Sequence, residues 1–226
     1  MDMKHYQTLA SMFYFPDEDY RERIVECQQM LSEKYPDVAE TFEPFVRFVG
    51  DVSPAELEKI YIRTFDIQPL CCLDVGYVLF GEDYKRGKLL ANLNKEHEQE
   101  GIDCRGELAD RLPNVLQLMA RSQNSELREE LVTYVLKPAL EKMVDEFVPA
   151  RIDQKEELYE KYHQAVLEKK VDRVTKFRIP LEVVRDVLRE DFPEAGKVEL
   201  SHGGDFVESV RTELKNKHQG KWARKS

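Results

Sequence analysis

Apolar residues recur at helical spacings along most of the chain. The first clear stripe follows Pro16 and Asp17, residue types that favour the first turn of a helix. Its members, separated by four, three and four positions, are Tyr20, Ile24, Cys27 and Leu31. Such spacing places all these side chains on one face. We therefore predict an amphipathic helix that Pro16 and Asp17 open.

A second helix is predicted from a capping signature. Ser53 and Glu56 form a capping box around Pro54, which suits the first helical position. The apolar stripe that follows consists of Leu57, Ile60, Tyr61 and Phe65. Tyr61 and Phe65 are four positions apart, so they share a helix face.

Residues 69–80 are unusually apolar and show little periodicity. We interpret them as a buried helix entered through Pro69, with a short strand as the alternative, because short apolar runs fit both. Residues 83–100 are charged and favour a helix, and Gly101 is predicted to end it.

Further helices are predicted towards the C-terminus. Asp110 is expected to cap a helix that tolerates Pro113 in its first turn. The apolar residues of that helix are Leu112, Val115, Leu116 and Met119. A helical stretch over 125–148 should be broken or kinked near Pro138. Later helices are predicted over 154–176, over 180–191 with Pro180 at the start, and over about 205–217.

These elements predict an all-α fold. The chain has 226 residues, the size of one domain with at most an appendage. We expect a single-domain irregular bundle of about eight or nine helices, with residues 1–204 as the helical domain. Residues 205–226 would add a C-terminal helix and a basic tail.

Composition and charge narrow the function classes. The net charge of −10 disfavours a nucleic-acid groove as the main function. No window approaches 18 apolar residues and the N-terminus does not resemble a signal peptide, so we expect a cytoplasmic protein without membrane insertion.

Charge is distributed unevenly along the chain. Residues 215–226 hold five basic residues and no acidic one, which leaves a net charge of −15 on the rest. This tail is either a frayed, solvated end or a tether for an acidic partner with Trp222 as an anchor.

Two Glu-x-x-His pairs raise the question of a metal. They are Glu160/His163 and Glu199/His202, the spacing that a di-iron bundle uses on two of its helices. His202 precedes Gly203 and Gly204, where a helix should end. We therefore expect no metal site, with a di-iron bundle enzyme using Glu160/His163 as the alternative.

The cysteines and the catalytic motifs point away from an enzyme. Cys71 and Cys72 are adjacent, the chain has no Cys-x-x-Cys, and its cysteine total of four is too small for a disulfide scaffold. No Gly-x-Ser-x-Gly and no phosphate-binding Gly-x-x-x-x-Gly-Lys-Ser/Thr occurs. We expect buried, reduced thiols, no catalytic residues and no cofactor.

Aromatic, acidic and apolar residues are concentrated over 61–66, 69–80 and 110–113. Asp66 and Asp110 each lie at a predicted helix boundary. Each carboxylate would either cap a helix or stand at the mouth of a groove, where it would accept hydrogen bonds from a basic peptide.

Here the sequence resembles the NarJ/TorD/DmsD family of assembly chaperones for molybdenum enzymes. Four runs carry the resemblance, in consistent order over about residues 8–120. They are Leu9 followed by Tyr14-Phe15-Pro16-Asp17; Tyr61-x-x-Thr64-Phe65-Asp66; Leu73-Asp74-x-x-x-Val78-Leu79-Phe80-Gly81-Glu82 with Arg86-Gly87; and Glu107-Leu108-Ala109-Asp110-Arg111-Leu112-Pro113. The Thr-Phe-Asp and Asp-x-Leu-Pro forms resemble the nitrate reductase branch. Arg111 stands where the family usually has His, and Ala109 replaces a Pro.

The resemblance implies an all-α, non-catalytic cytoplasmic chaperone. Such a protein binds the apo catalytic subunit of a molybdopterin-dependent oxidoreductase, often by its basic and apolar N-terminal leader, and holds it until the cofactor is inserted. The residues expected around the client peptide are Tyr61, Phe65, Asp66, Asp74, Tyr77, Asp110, Arg111 and Pro113. Residues 125–226 match the family only as generic helices.

Physical reasoning is compatible with this expectation. An acidic body speeds encounter with a cationic segment, and an apolar floor with polar groups at its ends accepts a peptide. A generic helical adaptor remains a further alternative. The client, the oligomeric state and any contact with a nucleotide or with molybdopterin stay open.

Overall fold

A computed structural model describes residues 3–152 and 171–195, and this part of the chain is helical with no strand. The helices are α1 His5–Ala10, α2 Tyr20–Lys34, α3 Pro36–Asp51, α4 Pro54–Phe65, α5 Val75–Phe80, α6 Tyr84–Gln99, α7 Leu112–Arg121, α8 Ser125–Glu130, α9 Lys137–Asp145, α10 Val171–Val174 and α11 Arg178–Asp191. Short 3₁₀ turns cover Ser11–Phe13 and Thr175–Phe177. The predicted all-α bundle is confirmed.

The first predicted stripe is buried as expected in α2, but the helix begins at Tyr20. The Asp17 carboxylate accepts a hydrogen bond from the backbone N–H of Asp19 at 3.2 Å and pairs with Arg23 at 2.7 Å. Pro16 and Asp17 therefore belong to the turn that precedes α2, rather than to its first turn.

The Ser53 half of the capping box predicted before α4 is confirmed. Ser53 is the N-cap residue, and its hydroxyl accepts a hydrogen bond from the backbone N–H of Glu56 at 3.4 Å. Pro54 occupies the first helical position, where its missing N–H has no cost.

The bundle contains two helices that the sequence analysis does not predict, α1 and α3. Pro36 opens α3, and Pro44 lies inside it. An internal proline argues against a helix, but the buried aromatic face of α3 outweighs that local penalty. This face consists of Phe42, Phe45 and Phe48.

The predicted buried helix over 69–80 is only partly present, because helix α5 covers Val75–Phe80 alone. Asp74 is extended and forms an isolated antiparallel bridge with Arg111. The backbone N–H of Val75 donates to the Asp110 carbonyl, and that of Leu112 donates to the Leu73 carbonyl, both at 2.8 Å. This pairing satisfies the backbone locally, so the chain turns into a helix only after Asp74.

The kink predicted near Pro138 appears as a wide helical turn. Leu131–Leu136 is a π-helical segment that joins α8 to α9 without a break. Pro138 has no N–H to offer the carbonyl four residues before it, and the N–H of Lys137 bonds instead to the Val132 carbonyl, five residues back. The predicted stretch ends as a helix at Asp145, three residues early.

The C-terminal predictions are only partly covered by the described residues. Helix α11 begins at Arg178, two residues before Pro180, so Pro180 lies in its first turn. Of the predicted helix over 154–176, the described part from 171 onwards is helical. The predictions that lie outside the described residues concern Glu160/His163, Glu199/His202, the boundary at 204/205, the helix over 205–217 and the basic tail with Trp222.

An aromatic core includes two of the residues expected to bind a client, Tyr61 and Phe65. The ring of Phe177 makes edge contacts with Phe45, Tyr61 and Phe65, at centroid distances of 5.3, 5.9 and 5.1 Å. Phe177 directly precedes α11, so this contact holds the C-terminal helix against α3 and α4. Aromatic pairs of this geometry contribute about 0.5–1.5 kcal/mol each beyond their burial.

A buried polar cluster, the histidine cluster, joins the two ends of the described chain. It consists of His5, Tyr6, Tyr35 and Asp191. The Asp191 carboxylate lies 2.7 Å from His5 Nε2 and accepts hydrogen bonds from the hydroxyls of Tyr6 and Tyr35, both at 2.8 Å. These bonds fix α1 and the α2–α3 junction to the end of α11.

Across residues 3–152 and 171–195, none of the helices combines the length and apolar character that crossing a membrane requires.

Candidate functional site

An arginine in the first turn of α6 binds two carboxylates from different segments. Arg86 Nε donates to Asp110 Oδ2 at 2.8 Å, and one terminal nitrogen donates to Asp74 Oδ2 at 2.8 Å. The same nitrogen lies 3.3 Å from Asp110 Oδ1. We call Asp74, Arg86, Asp110 and Arg111 the arginine network. It joins the start of α5, the first turn of α6 and the start of α7.

Asp110 does not cap α7, contrary to the prediction. Arg111 occupies the N-cap position, and no side chain caps the helix there. Asp110 is fully buried and directs its carboxylate at Arg86. A buried carboxylate needs a cation more than a helix end needs a cap, since an unpaired buried charge costs several kcal/mol.

A glycine in α5 makes room for this carboxylate. A Cβ on Gly76 would lie 2.5 Å from Asp110 Oδ2 and 3.0 Å from a methyl carbon of Leu89. Atoms do not approach so closely without displacement, so the arginine network and a side chain at position 76 exclude each other. Gly76 thus has a packing role that the sequence analysis missed.

Burial and ion pairing have opposite effects on the pKa of the Asp110 carboxyl. Burial raises the pKa of the Asp110 carboxyl, and the hydrogen bonds from Arg86 offset part of that rise. The hydrogen bond to Asp110 also raises the pKa of the Arg86 guanidinium. Arg86 therefore stays charged and neutralises a carboxylate that burial alone would disfavour.

Arg111 continues the network towards solvent. Its guanidinium lies 3.4 Å from a Glu107 carboxylate oxygen and 3.9 Å from Asp74 Oδ1. Burial raises the pKa of the Tyr61 hydroxyl, and the neighbouring Arg111 guanidinium opposes that rise. The Arg111 side chain is 18% exposed, so it connects the buried carboxylates to the surface.

Tyr77 covers the outer side of the network. Its ring centroid lies 5.3 Å from the guanidinium carbon of Arg86, a cation–π arrangement. Tyr77 is 42% exposed. Of the residues expected to contact a client, it therefore presents an aromatic surface to solvent directly.

Three of the predicted groove residues belong to the core instead. Tyr61, Phe65 and Pro113 are buried. The Tyr61 hydroxyl donates to the Phe13 carbonyl at 2.7 Å, and the Phe65 ring packs on Phe177. The shared helix face of Tyr61 and Phe65 thus packs into the aromatic core, and these two residues are not exposed to a client.

Asp66 lies where it was predicted, at the C-terminal boundary of α4. It is exposed and its backbone N–H donates to the Ile62 carbonyl at 2.9 Å. Its carboxylate is therefore available to solvent, in contrast to that of Asp110.

The structure brings the four runs of the resemblance together. Phe15 contacts the Tyr61 ring edge-on at 5.5 Å, which joins the first run to the second. The Arg111 guanidinium lies beside the Tyr61 hydroxyl, which joins the second run to the fourth. The bridge between Asp74 and Arg111 joins the third run to the fourth. Contacts between residues up to 50 positions apart thus form one continuous region.

Arg86 is the central residue that the sequence analysis left out of the site. The sequence did contain a signal for Arg86, because Arg86-Gly87 is part of the third run of the resemblance. Its partners are 12 and 24 positions away, however, and no local pattern predicts which carboxylates meet it.

Lys142 is a second residue that the sequence analysis missed. Its ammonium donates to the carbonyls of Val78 and Leu79 at 3.2 and 3.4 Å, at the C-terminus of α5.

The arginine network joins three helices by ion pairs. Asp110 pairs with Arg86, and Asp74 pairs with both Arg86 and Arg111. No group of three or more His, Cys, Asp or Glu side chains within the described ranges could hold a metal ion. The cysteines are unbonded, with Cys27 and Cys71 buried and Cys72 and Cys104 half-buried.

Comparison with known proteins adds no family. A scan against protein-family models finds no match, and a search of the curated proteins finds none either.

Proposed function

We propose that this protein is a cytoplasmic maturation chaperone for a molybdopterin-dependent oxidoreductase, with a nitrate reductase as the favoured client. It binds the apo catalytic subunit, by its basic and apolar N-terminal leader, and holds it for cofactor insertion. The protein itself performs no catalysis and contacts no nucleic acid.

One observation carries the proposal: the four runs that resemble the chaperone family contact one another. Residues with no local reason to be related meet around the arginine network, through the Asp74–Arg111 bridge and the Arg86–Asp110 pair. Sequence similarity that occurred by chance in ordinary helices would not need to converge on one region. This convergence supports a shared site.

The surface around the network suits an apolar and basic segment. Phe15 and Tyr77 are about half-exposed, and Leu108 is exposed three positions before Arg111. Apolar side chains of a leader would pack on these residues, and aromatic contacts supply much of the affinity of such interfaces.

Of the acidic groups expected around a basic client, Asp66 is exposed and Asp110 is not. Asp110 is buried and paired with Arg86, so it would act by holding the network. Asp66 and Glu107 are exposed, and they are the carboxylates that can accept hydrogen bonds from the client. The acidic body of the chain adds long-range attraction, which salt should weaken.

Co-expression with a candidate client tests the proposal. The full chain is produced together with the catalytic subunit of a nitrate reductase, in cells that make molybdopterin and in cells that do not. We expect the chain to co-purify with the subunit from the cofactor-deficient cells and to separate from the cofactor-loaded subunit. Co-purification that is absent from both cell types, or equal in both, would contradict the proposed role.

A further inference from the structure

A buried histidine at the end of α6 faces two hydrogen-bond acceptors. His97 is 2% exposed. Its Nδ1 lies 2.6 Å from the Leu93 carbonyl oxygen, and its Nε2 lies 3.0 Å from the Asn114 carbonyl oxygen. A neutral imidazole has one N–H and one lone pair. Only the doubly protonated ring can donate to both carbonyls.

The contacts of His97 lead to the arginine network. Asn114 lies in the first turn of α7, and its side-chain amide donates to the Leu108 carbonyl at 2.9 Å. The backbone N–H of Arg111 donates to the same carbonyl at 3.1 Å. The ring of His97 is thus two hydrogen bonds away from the segment that carries Asp110 and Arg111.

The charged surroundings of His97 come from several elements. Helix α6 itself contributes Glu96, Glu98 and Glu100, and the negative end of its dipole, since His97 lies in its last turn. Helix α6 packs against α5, whose titratable residue is Tyr77, and against α7, which carries Arg121. The α6–α7 connection holds Asp103, Cys104, Arg105, Glu107, Asp110 and Arg111, and Arg121 donates to the Gly101 carbonyl in it at 3.3 Å. The segments next to His97 thus carry cations as well as carboxylates.

Direct ion pairing does not explain the ring's position. In the described residues, no carboxylate oxygen lies within 4.0 Å of either ring nitrogen of His97. The ring is held by backbone carbonyls alone, and its Nε2 contact with Asn114 is the one that joins α6 to α7, because Leu93 lies in α6 itself.

We propose that His97 is a proton-linked positioning residue, which in its doubly protonated form fastens α6 to the start of α7 and so fixes the segment that carries Asp110 and Arg111. The Nδ1 contact with Leu93 is the shorter of the two, so the neutral ring keeps its proton on Nδ1, and the Nε2 lone pair then faces the Asn114 carbonyl oxygen. The contact between α6 and α7 then loosens, and with it the hold of Asn114 on Leu108.

Nitrogen NMR on the full ¹⁵N-labelled chain reads the proton count directly. Two-bond ¹H–¹⁵N spectra from pH 5 to 8.5 distinguish a ring with two N–H groups from a neutral tautomer. We expect the two-proton pattern for His97 at the acidic end. Amide exchange over 108–114, corrected for the intrinsic pH dependence, should rise at least about tenfold as the ring loses its proton, because a charge-assisted hydrogen bond is lost.

Variants separate this residue from general effects of pH. His97→Gln should abolish the pH dependence of exchange over 108–114, whereas His5→Gln, at the other described buried histidine, should leave it intact. Asn114→Ala should raise that exchange at every pH while His97 still titrates.

A neutral-tautomer pattern for His97 in the folded chain at pH 5, or exchange over 108–114 that does not follow the ring's titration, would overturn the proposal. An effect of pH on client affinity rests on the proposed function, but these spectra and exchange rates need no client. The two ideas can therefore fail separately.

Discussion

Two buried polar clusters of this protein use hydrogen bonds in different ways. In the histidine cluster, a single carboxylate on Asp191 receives contacts from three side chains and joins distant parts of the chain. In the arginine network, the single guanidinium of Arg86 donates hydrogen bonds to two carboxylates. The outer residues of this network reach the surface.

The two clusters differ in their access to solvent. The histidine cluster is closed, since the side chains of His5 and Asp191 are only 3% and 6% exposed. The arginine network is open on one side, through Tyr77 and Arg111. We therefore expect damage to the histidine cluster to lower stability alone, and damage to the arginine network to lower stability and client binding together.

The largest effect is expected from Arg86→Met. This change removes the cation and leaves the carboxylate of Asp110 buried without a partner, which should cost about 3–5 kcal/mol of unfolding free energy. Urea unfolding of the full chain measures it. The double variant Arg86→Met/Asp110→Leu should recover much of the loss, and failure to recover any would show that the buried charge is not the cause.

The matching change in the histidine cluster is Tyr35→Phe. It removes a hydroxyl that donates to Asp191 at 2.8 Å, so it should cost about 1.5–3 kcal/mol, as for a hydrogen bond to a charged group. Client affinity should not change. The same substitution at half-buried Tyr134, whose hydroxyl has no hydrogen-bond partner within 3–152 and 171–195, should cost less than about 0.5 kcal/mol. Equal costs at the two positions would refute the role of the cluster.

Gly76→Ala tests the packing beneath the arginine network. The added methyl would overlap the Asp110 carboxylate, so we expect a loss of about 1–3 kcal/mol. Gly87→Ala is the control, because nothing lies within 4 Å of a Cβ at this helical position. Alanine favours a helix over glycine, so the control should stabilise the protein by up to about 1 kcal/mol. Thermal unfolding that ranks the two variants in the opposite order would contradict the geometry.

The smallest effect is a pH dependence from Asp191. Burial alone would raise the pKa of this carboxyl, but the hydrogen bonds from His5, Tyr35 and Tyr6 outweigh burial and lower it below its usual value. Asp191 therefore contributes stability at pH values above its unfolded pKa of about 3.9, and this contribution is lost as pH falls below about 4. Comparing the acid unfolding of wild type and Asp191→Asn measures it, and a variant whose stability falls as steeply with acid as wild type would exclude this group.

How much could be read from the sequence depended on the distance between partners. Ser53 with Glu56 and the stop at Gly101 are local signals, and both were predicted correctly. Asp110 has a strong local signal for a cap, but a cation 24 positions away decided its role. The histidine cluster joins residues up to 186 positions apart, so nothing in the local pattern could have predicted it.

In the proposed function, the exposed side of the arginine network binds a client leader. Calorimetric titration of a basic, apolar N-terminal peptide from a nitrate reductase catalytic subunit tests it, at low and at physiological salt. We compare wild type with Tyr77→Ala and Asp66→Asn, and with Glu40→Gln as a control that removes one exposed negative charge from α3. We expect weaker binding at higher salt, a loss of affinity of about tenfold or more for Tyr77→Ala, a smaller loss for Asp66→Asn, and wild-type affinity for Glu40→Gln. Unchanged affinity in Tyr77→Ala and Asp66→Asn, with folding intact, would contradict it.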